Sequence, residues 1–264
     1  MHKNSRSNLL PLSALILGSA GSAGAAASFT VIDAPGASTF YPGTFAMAVN
    51  ASGTIAGYYS DTTYTWHGFV RTPGGVYTTF QVNGFNTTVA AINASGAITG
   101  SYFDTTTHGF VRSSAGVITT FDAPGAGNSS DQGTSGANIN DAGVIVGYYL
   151  DGANLGNGFV RAANGTITTF DAPSPAHSTV ANSINASGVV ARDWADPGAY
   201  IHGFVRNSSG VFTTFDAPGE GAGFIPGTGV GLQVHFMARL KRRSWRSFRM
   251  LNLTESACST GWIS

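Results

Sequence analysis

The phrase Gly-Phe-Val-Arg occurs four times in this chain of 264 residues, and its phenylalanines, Phe69, Phe110, Phe159 and Phe204, lie 41, 49 and 45 residues apart. A second phrase keeps the same rhythm: Val117-Ile118-Thr119-Thr120-Phe121-Asp122-Ala123-Pro124-Gly125 returns at residues 165 to 173 and again at Val211 to Gly219. A period of this length is one supersecondary unit. Such a unit cannot enclose its own apolar face, so it acquires a core only by stacking on its neighbours.

Each period reads as four short strands. In the second, Val89 to Ile92 is strand one, and Asn93-Ala94-Ser95-Gly96 is a turn in which Asn bonds its own backbone and Gly takes positive φ. Strand two, Ala97 to Phe103, alternates Ile98, Gly100 and Tyr102 with Thr99, Ser101 and Phe103. His108 to Arg112 and Val117 to Phe121 are strands three and four, and Pro124-Gly125 turns the chain toward the next unit. Val, Ile, Phe, Tyr and Thr carry the apolar content, leucine is nearly absent between residues 28 and 231, and glycine reaches 36 residues. That composition favours sheet over helix. The expected fold is all-β, a β-propeller-like array of four-stranded antiparallel blades. Four complete repeats end at Phe80, Phe121, Phe170 and Phe215, and an incomplete fifth follows. Phe29 to Asp33 matches strand four with no strands before it, which is the strand a ring would use to close on that fifth blade.

The flanks differ from the body. Residues 1 to 27 have a basic start, an apolar Leu9 to Leu17 and a run of small residues, the layout of a signal peptide whose apolar stretch is too short to span a bilayer. Its removal leaves a β-repeat domain over 28 to 221 with no transmembrane segment, followed by a divergent segment, 222 to 264. Between residues 28 and 232, five arginines face eleven aspartates and Glu220, a net charge of −7; residues 233 to 264 hold six Lys and Arg against Glu255, a net charge of +5. An acidic body argues against a nucleic-acid partner. The last segment carries none of the repeat phrases, and reads either as a shifted-frame translation of a former fifth blade or as a basic amphipathic helix. The single Cys258 excludes an intrachain disulfide.

The recurring polar positions have structural readings. His67, His108 and His202 share one repeat position that Asn157 fills in the third unit, as expected of a side chain that hydrogen-bonds a turn rather than a metal ligand. Asp61, Asp104, Asp151 and Asp193 follow strand two and are expected to cap loops; no known calcium-loop spacing is present, and weak calcium binding is the alternative. Arg71, Arg112, Arg161 and Arg206 end strand three and are expected to pair locally with aspartate. Asp33, Asp122, Asp171 and Asp216 belong to the strand-four phrase. No catalytic, cofactor-binding or metal residue is assigned, because no nucleophile elbow, phosphate loop or spaced carboxylate pair is present.

Ile92-Asn93-Ala94-Ser95-Gly96, Gly100-x-Tyr102, His108-Gly109-Phe110 and Phe121-Asp122-Ala123-Pro124-Gly125 together resemble the HAF-type extracellular repeats of bacterial exported proteins over residues 28 to 221. The resemblance implies a secreted, periplasmic or extracellular bacterial protein and brings no catalytic residue with it. The expected function is a noncatalytic scaffold or binding module for a glycan or an envelope or surface protein, through the variable loops Asp61 to Trp66, Gly125 to Gly136 and Asp193 to Tyr200. The alternatives are a carboxylate-dependent hydrolase or lyase acting on an extracellular polysaccharide, and a truncated gene product without activity.

Overall fold

A computed structural model describes residues 30 to 39, 43 to 172, 178 to 198 and 200 to 216. The signal-like segment and the basic C-terminal segment lie outside the described residues, as does the proposed fifth blade. The described chain holds sixteen strands and no helix. The first unit comprises β1 (Thr44–Val49), β2 (Ile55–Ser60), β3 (Trp66–Arg71) and β4 (Tyr77–Phe80). The second comprises β5 (Asn86–Ile92), β6 (Ile98–Phe103), β7 (Thr107–Arg112) and β8 (Ile118–Phe121). The third comprises β9 (Gly133–Ile139), β10 (Ile145–Leu150), β11 (Gly156–Arg161) and β12 (Ile167–Phe170). The fourth comprises β13 (Ser178–Ile184), β14 (Val190–Ala195), β15 (Ile201–Arg206) and β16 (Phe212–Phe215).

Within every unit each strand pairs antiparallel with the next. Units two, three and four also touch through single parallel bridges, Thr107 to Gly133 and Gly156 to Ser178, so the sheets are mixed. The strand ends define two ends of the array. One carries the Asn-x-x-Gly turns and the turns after the third strands; the other carries the loops after the second strands and the links between units.

The sequence phrases are packing rules. A Cβ on Gly109 would lie 2.4 Å from the Phe121 ring, and Gly68, Gly158 and Gly203 stand in the same relation to Phe80, Phe170 and Phe215. Gly-Phe-Val-Arg therefore begins with glycine because the strand-four ring lies on it. Gly100 meets a different obstacle: a Cβ there would come 2.1 Å from the Thr88 carbonyl oxygen, where β5 shifts register between Val89 and Ala91. Arg192 replaces that glycine in the fourth unit.

The core sits between units. Phe69, Phe110, Phe159 and Phe204 are fully buried. The last three meet the strand-four phenylalanine of the preceding unit edge to face, as Phe80–Phe110, Phe121–Phe159 and Phe170–Phe204 with centroids 6.0, 5.8 and 6.3 Å apart. The linker then plugs the next unit: Ala34, Val82, Ala123 and Ala172 are buried. Their backbone N–H groups donate to the hydroxyls of Thr44, Thr87, Thr134 and Thr179 at 3.0, 2.9, 2.9 and 3.0 Å. Ala34 takes this place although residues 30 to 33 form no strand; Phe29 lies outside the described residues.

Candidate functional site

At the turn end, four asparagines form a ladder across the units. Each side-chain oxygen closes its own turn, accepting from Thr54, Ala97, Val144 and Val189 N–H groups at 2.9 to 3.0 Å. Each of the first three side-chain amides donates to the backbone oxygen of the next asparagine: Asn50 to Asn93 at 3.2 Å, Asn93 to Asn140 at 3.0 Å, Asn140 to Asn185 at 3.1 Å. The ladder borders a depression of about 290 Å³ that Ile92, Ile139 and Ile184 also line. Its polar atoms hold the units together.

The arginines of the third strands lie at the same end, and the structure places them otherwise than expected. Arg71, Arg112, Arg161 and Arg206 make no ion pair among the described residues. Arg112, Arg161 and Arg206 instead lie 5.0, 5.0 and 4.7 Å from the rings of Phe80, Phe121 and Phe170 in the preceding unit. Arg71, with no full unit before it, sits 5.7 Å from its own Tyr77. Burial pushes the guanidinium pKa of Arg112, Arg161 and Arg206 down, and their Nε atoms have no hydrogen-bond partner among the described residues.

The loop end gathers the histidines and most of the aspartates. His108 stacks on Tyr102 and is held from both sides, Nδ1 against Asp122 at 2.9 Å and Nε2 against Asp104 at 3.2 Å. His202 stacks on Trp194 and faces Asp216 at 2.7 Å and Asp196 at 3.7 Å. His67 stacks on Tyr59 and meets only Asp61, at 3.0 Å, because Gln81 follows Phe80 where the later units have aspartate. The His67 hydrogen bond, helped by the Thr63 hydroxyl, holds the Asp61 carboxyl well below the usual range. Asp104 is lowered chiefly by the backbone N–H groups of Thr105 and Thr106. Asp216 raises His202. In the third unit Asn157 donates instead to the Leu155 carbonyl, and Asp171 is pushed up by burial and then by Asp151. Asp33, the first of the phrase aspartates, is exposed.

These side chains tie the strand-two loop, the start of strand three and the exit of strand four into one knot per unit. The loops are ordered by the same means: Asp61, Asp151 and Asp196 accept backbone N–H groups of Thr65, Leu155 and Tyr200, while Asp193, expected to cap the fourth of these loops, lies within β14 and pairs with Arg192 at 2.7 Å instead. Within Gly125 to Gly136, the Gln132 amide donates to Asn154 at 3.0 Å, and its backbone oxygen accepts the Thr106 hydroxyl at 2.7 Å. Among exposed polar groups such as Thr62, Asp122 and Asp131, this end also presents large apolar side chains that differ from unit to unit: Tyr64, Phe103, Leu155 and Tyr200 are 69%, 41%, 37% and 42% exposed. Of these, only Tyr64 and Tyr200 lie in the segments named as variable from sequence, Asp61 to Trp66 and Asp193 to Tyr200.

No family model and no curated protein sequence matches the chain. Among solved structures it is similar to virginiamycin B lyase from Staphylococcus aureus, at 12% identity and a TM-score of 0.43, over 67% of this chain and 56% of that one. A catalytically inactive variant of that lyase, with quinupristin, is similar at 12% identity and a TM-score of 0.34, over 66% and 71%. The chain thus spans little more than half of the first of these, and at such scores neither likeness assigns it an activity.

Proposed function

We propose that this chain is a noncatalytic exported repeat scaffold or binding module of the HAF type. Its four units form a propeller-like array with an incomplete fifth, and its loop end receives a glycan or an envelope or surface protein. The observation that carries the reading is the loop end itself, where large apolar side chains stand exposed at or beside the loop after the second strand of every unit, Tyr64, Phe103, Leu155 and Tyr200. Isolated exposed apolar residues are ordinary on protein surfaces. Four at or beside the loops after the second strands supply graded contact area on a repeating frame, which is what recognition by loops requires. The polar groups at repeat positions support the same reading, because His67, His108 and His202 are engaged with aspartate, the turn asparagines with backbone, and Arg112, Arg161 and Arg206 with phenylalanine rings.

The test is capture of envelope glycans and envelope proteins by the purified chain, beside a triple variant Tyr64→Ala, Phe103→Ala, Tyr200→Ala. A partner retained by the unaltered chain and lost by the variant is the expected result. Equal capture by the two, or none by either, overturns the loop-end assignment.

A further inference from the structure

The link between the first two units differs from the others in chemistry. Val82-Asn83-Gly84-Phe85 stands where Ala34-Pro35-Gly36-Ala37 and Ala123-Pro124-Gly125-Ala126 stand before the first and third units. All three turns close with the same bond, from the fourth residue's N–H to the first residue's carbonyl, at 2.9, 3.0 and 3.0 Å. Proline presets the other two turns. Here Asn83 and Gly84 instead take φ values of 52° and 80°, the positive pair that an Asn-Gly turn adopts. An asparagine followed by glycine carries a reactive pair of its own, because the side-chain amide carbon and the next backbone nitrogen can join in a five-membered ring.

Asn-Gly occurs at three places in the chain, and their surroundings differ. Asn157-Gly158 lies inside β11, paired with a strand on each side and with the Phe170 ring against Gly158. In the turn after β11, the Gly165 N–H donates to the Ala162 carbonyl at 2.9 Å, and the Asn164 side-chain oxygen accepts the Thr166 N–H at 3.0 Å. Nucleophile and electrophile are both held there. At the first link, Asn83 and Gly84 are exposed, and a Cβ on Gly84 would meet nothing within 4 Å. The Gly84 N–H has no acceptor among the described residues. The Asn83 side chain bonds the Tyr102 hydroxyl and leaves that nitrogen open.

The same turn anchors a junction. The buried Val82 gives its N–H to the Thr87 hydroxyl at 2.9 Å, and that hydroxyl gives its own proton to the Phe85 carbonyl at 2.9 Å. One side chain thus ties both ends of the turn, at the spacing that the present main chain allows. We propose that Asn83 is a deamidation site whose conversion loosens the junction between the first and second units. The Gly84 nitrogen, its proton lost to solvent base, bonds to the Asn83 amide carbon. The bond from that carbon to Nδ2 breaks, and ammonia leaves after taking a proton from water. A second water opens the resulting succinimide at either carbonyl, giving aspartate or isoaspartate at position 83. Isoaspartate lengthens the main chain between Val82 and Phe85 by one methylene, which draws the two bonds of the Thr87 hydroxyl apart.

Incubation of the full chain at mildly alkaline pH in water enriched in heavy oxygen, followed by peptide mapping, tests the site, since each conversion fixes a solvent oxygen. Position 83 is expected to convert faster as the pH rises, and about tenfold ahead of positions 157 and 164, whose strand or turn bonds must first open. Hydrogen exchange of the separated isoaspartate fraction is expected to be faster in β5 than in the unconverted chain. Asn83→Gln, which would have to close a six-membered ring, is expected to show neither change. Equal conversion at the three positions, or none at position 83, overturns the site. Unaltered exchange of β5 in the isoaspartate fraction overturns the loosening of the junction.

Discussion

His202 shows how a single side chain can fasten three segments. It stacks on Trp194 of β14 and bonds Asp216 beyond β16, and it lies within ion-pair distance of Asp196 in the loop between β14 and β15. Asp216 raises its pKa above the ordinary histidine value. Its contribution to stability is therefore fully present below about pH 6.5 and is lost as the pH rises through the higher folded value. Asp61, held low by His67, runs the other way: its contribution is present above the usual carboxylate value and disappears as the pH falls through the folded one. The melting temperature of the chain should exceed that of His202→Asn more at pH near 5 than at pH near 8, with a modest gap because both partners of the pair are partly exposed. Thermal melts across that range check this, and a gap independent of pH would exclude the charged pairing. The shared position of the histidines was legible from the repeat register. Their carboxylate partners were not, since Asp104 and Asp122 are 18 residues apart in the chain and meet only when strands three and four fold back beside the strand-two loop.

At the scale of elements, strands and turns follow local pattern, and the structure extends or trims the expected second-unit strands by a few residues at their ends. The linkers are less local. Asp-Ala-Pro-Gly reads as a turn, yet Ala123 is also a plug in the third unit, its N–H bonded to a threonine eleven residues on. Thr134→Val should leave that buried N–H without an acceptor and cost about 1–3 kcal/mol. Urea titration measures it, and Thr134→Ser, which keeps the hydroxyl, should recover most of the loss. A Val variant as stable as the original chain would show the clasp to be dispensable. The arginines illustrate a different override. Local acids suggested ion pairs, but the aspartates gather at the loop end while Arg112, Arg161 and Arg206 reach across to the phenylalanine of the unit before, a partner defined by stacking and not by nearness in sequence.

At the scale of the molecule, each junction between the described units is built from the same four parts: a threonine clasp, an asparagine rung, an arginine over a phenylalanine, and an edge-to-face phenylalanine pair. Repeat arrays of this kind draw stability from nearest-neighbour contacts. The second and third units have a described unit on both sides, and the first and fourth on one. Native-state hydrogen exchange should accordingly find β6, β7, β10 and β11 slowest and β1 and β16 fastest. One common protection value across all sixteen strands would mean that the array opens only as a whole. The sequence by itself determined the period, the four strands per unit, the turn residues and the all-β class, because each depends on side-chain alternation and turn chemistry within a few residues. Tertiary structure alone decided which surfaces meet: the asparagine ladder, the arginine stacks, the stacked rings of Phe45 and Tyr58 in the first unit and the placing of the third-strand arginines at the end away from most of the aspartates. Those contacts join side chains of different strands and units, and only the stacking of one sheet on the next determines which face of each strand its neighbour sees.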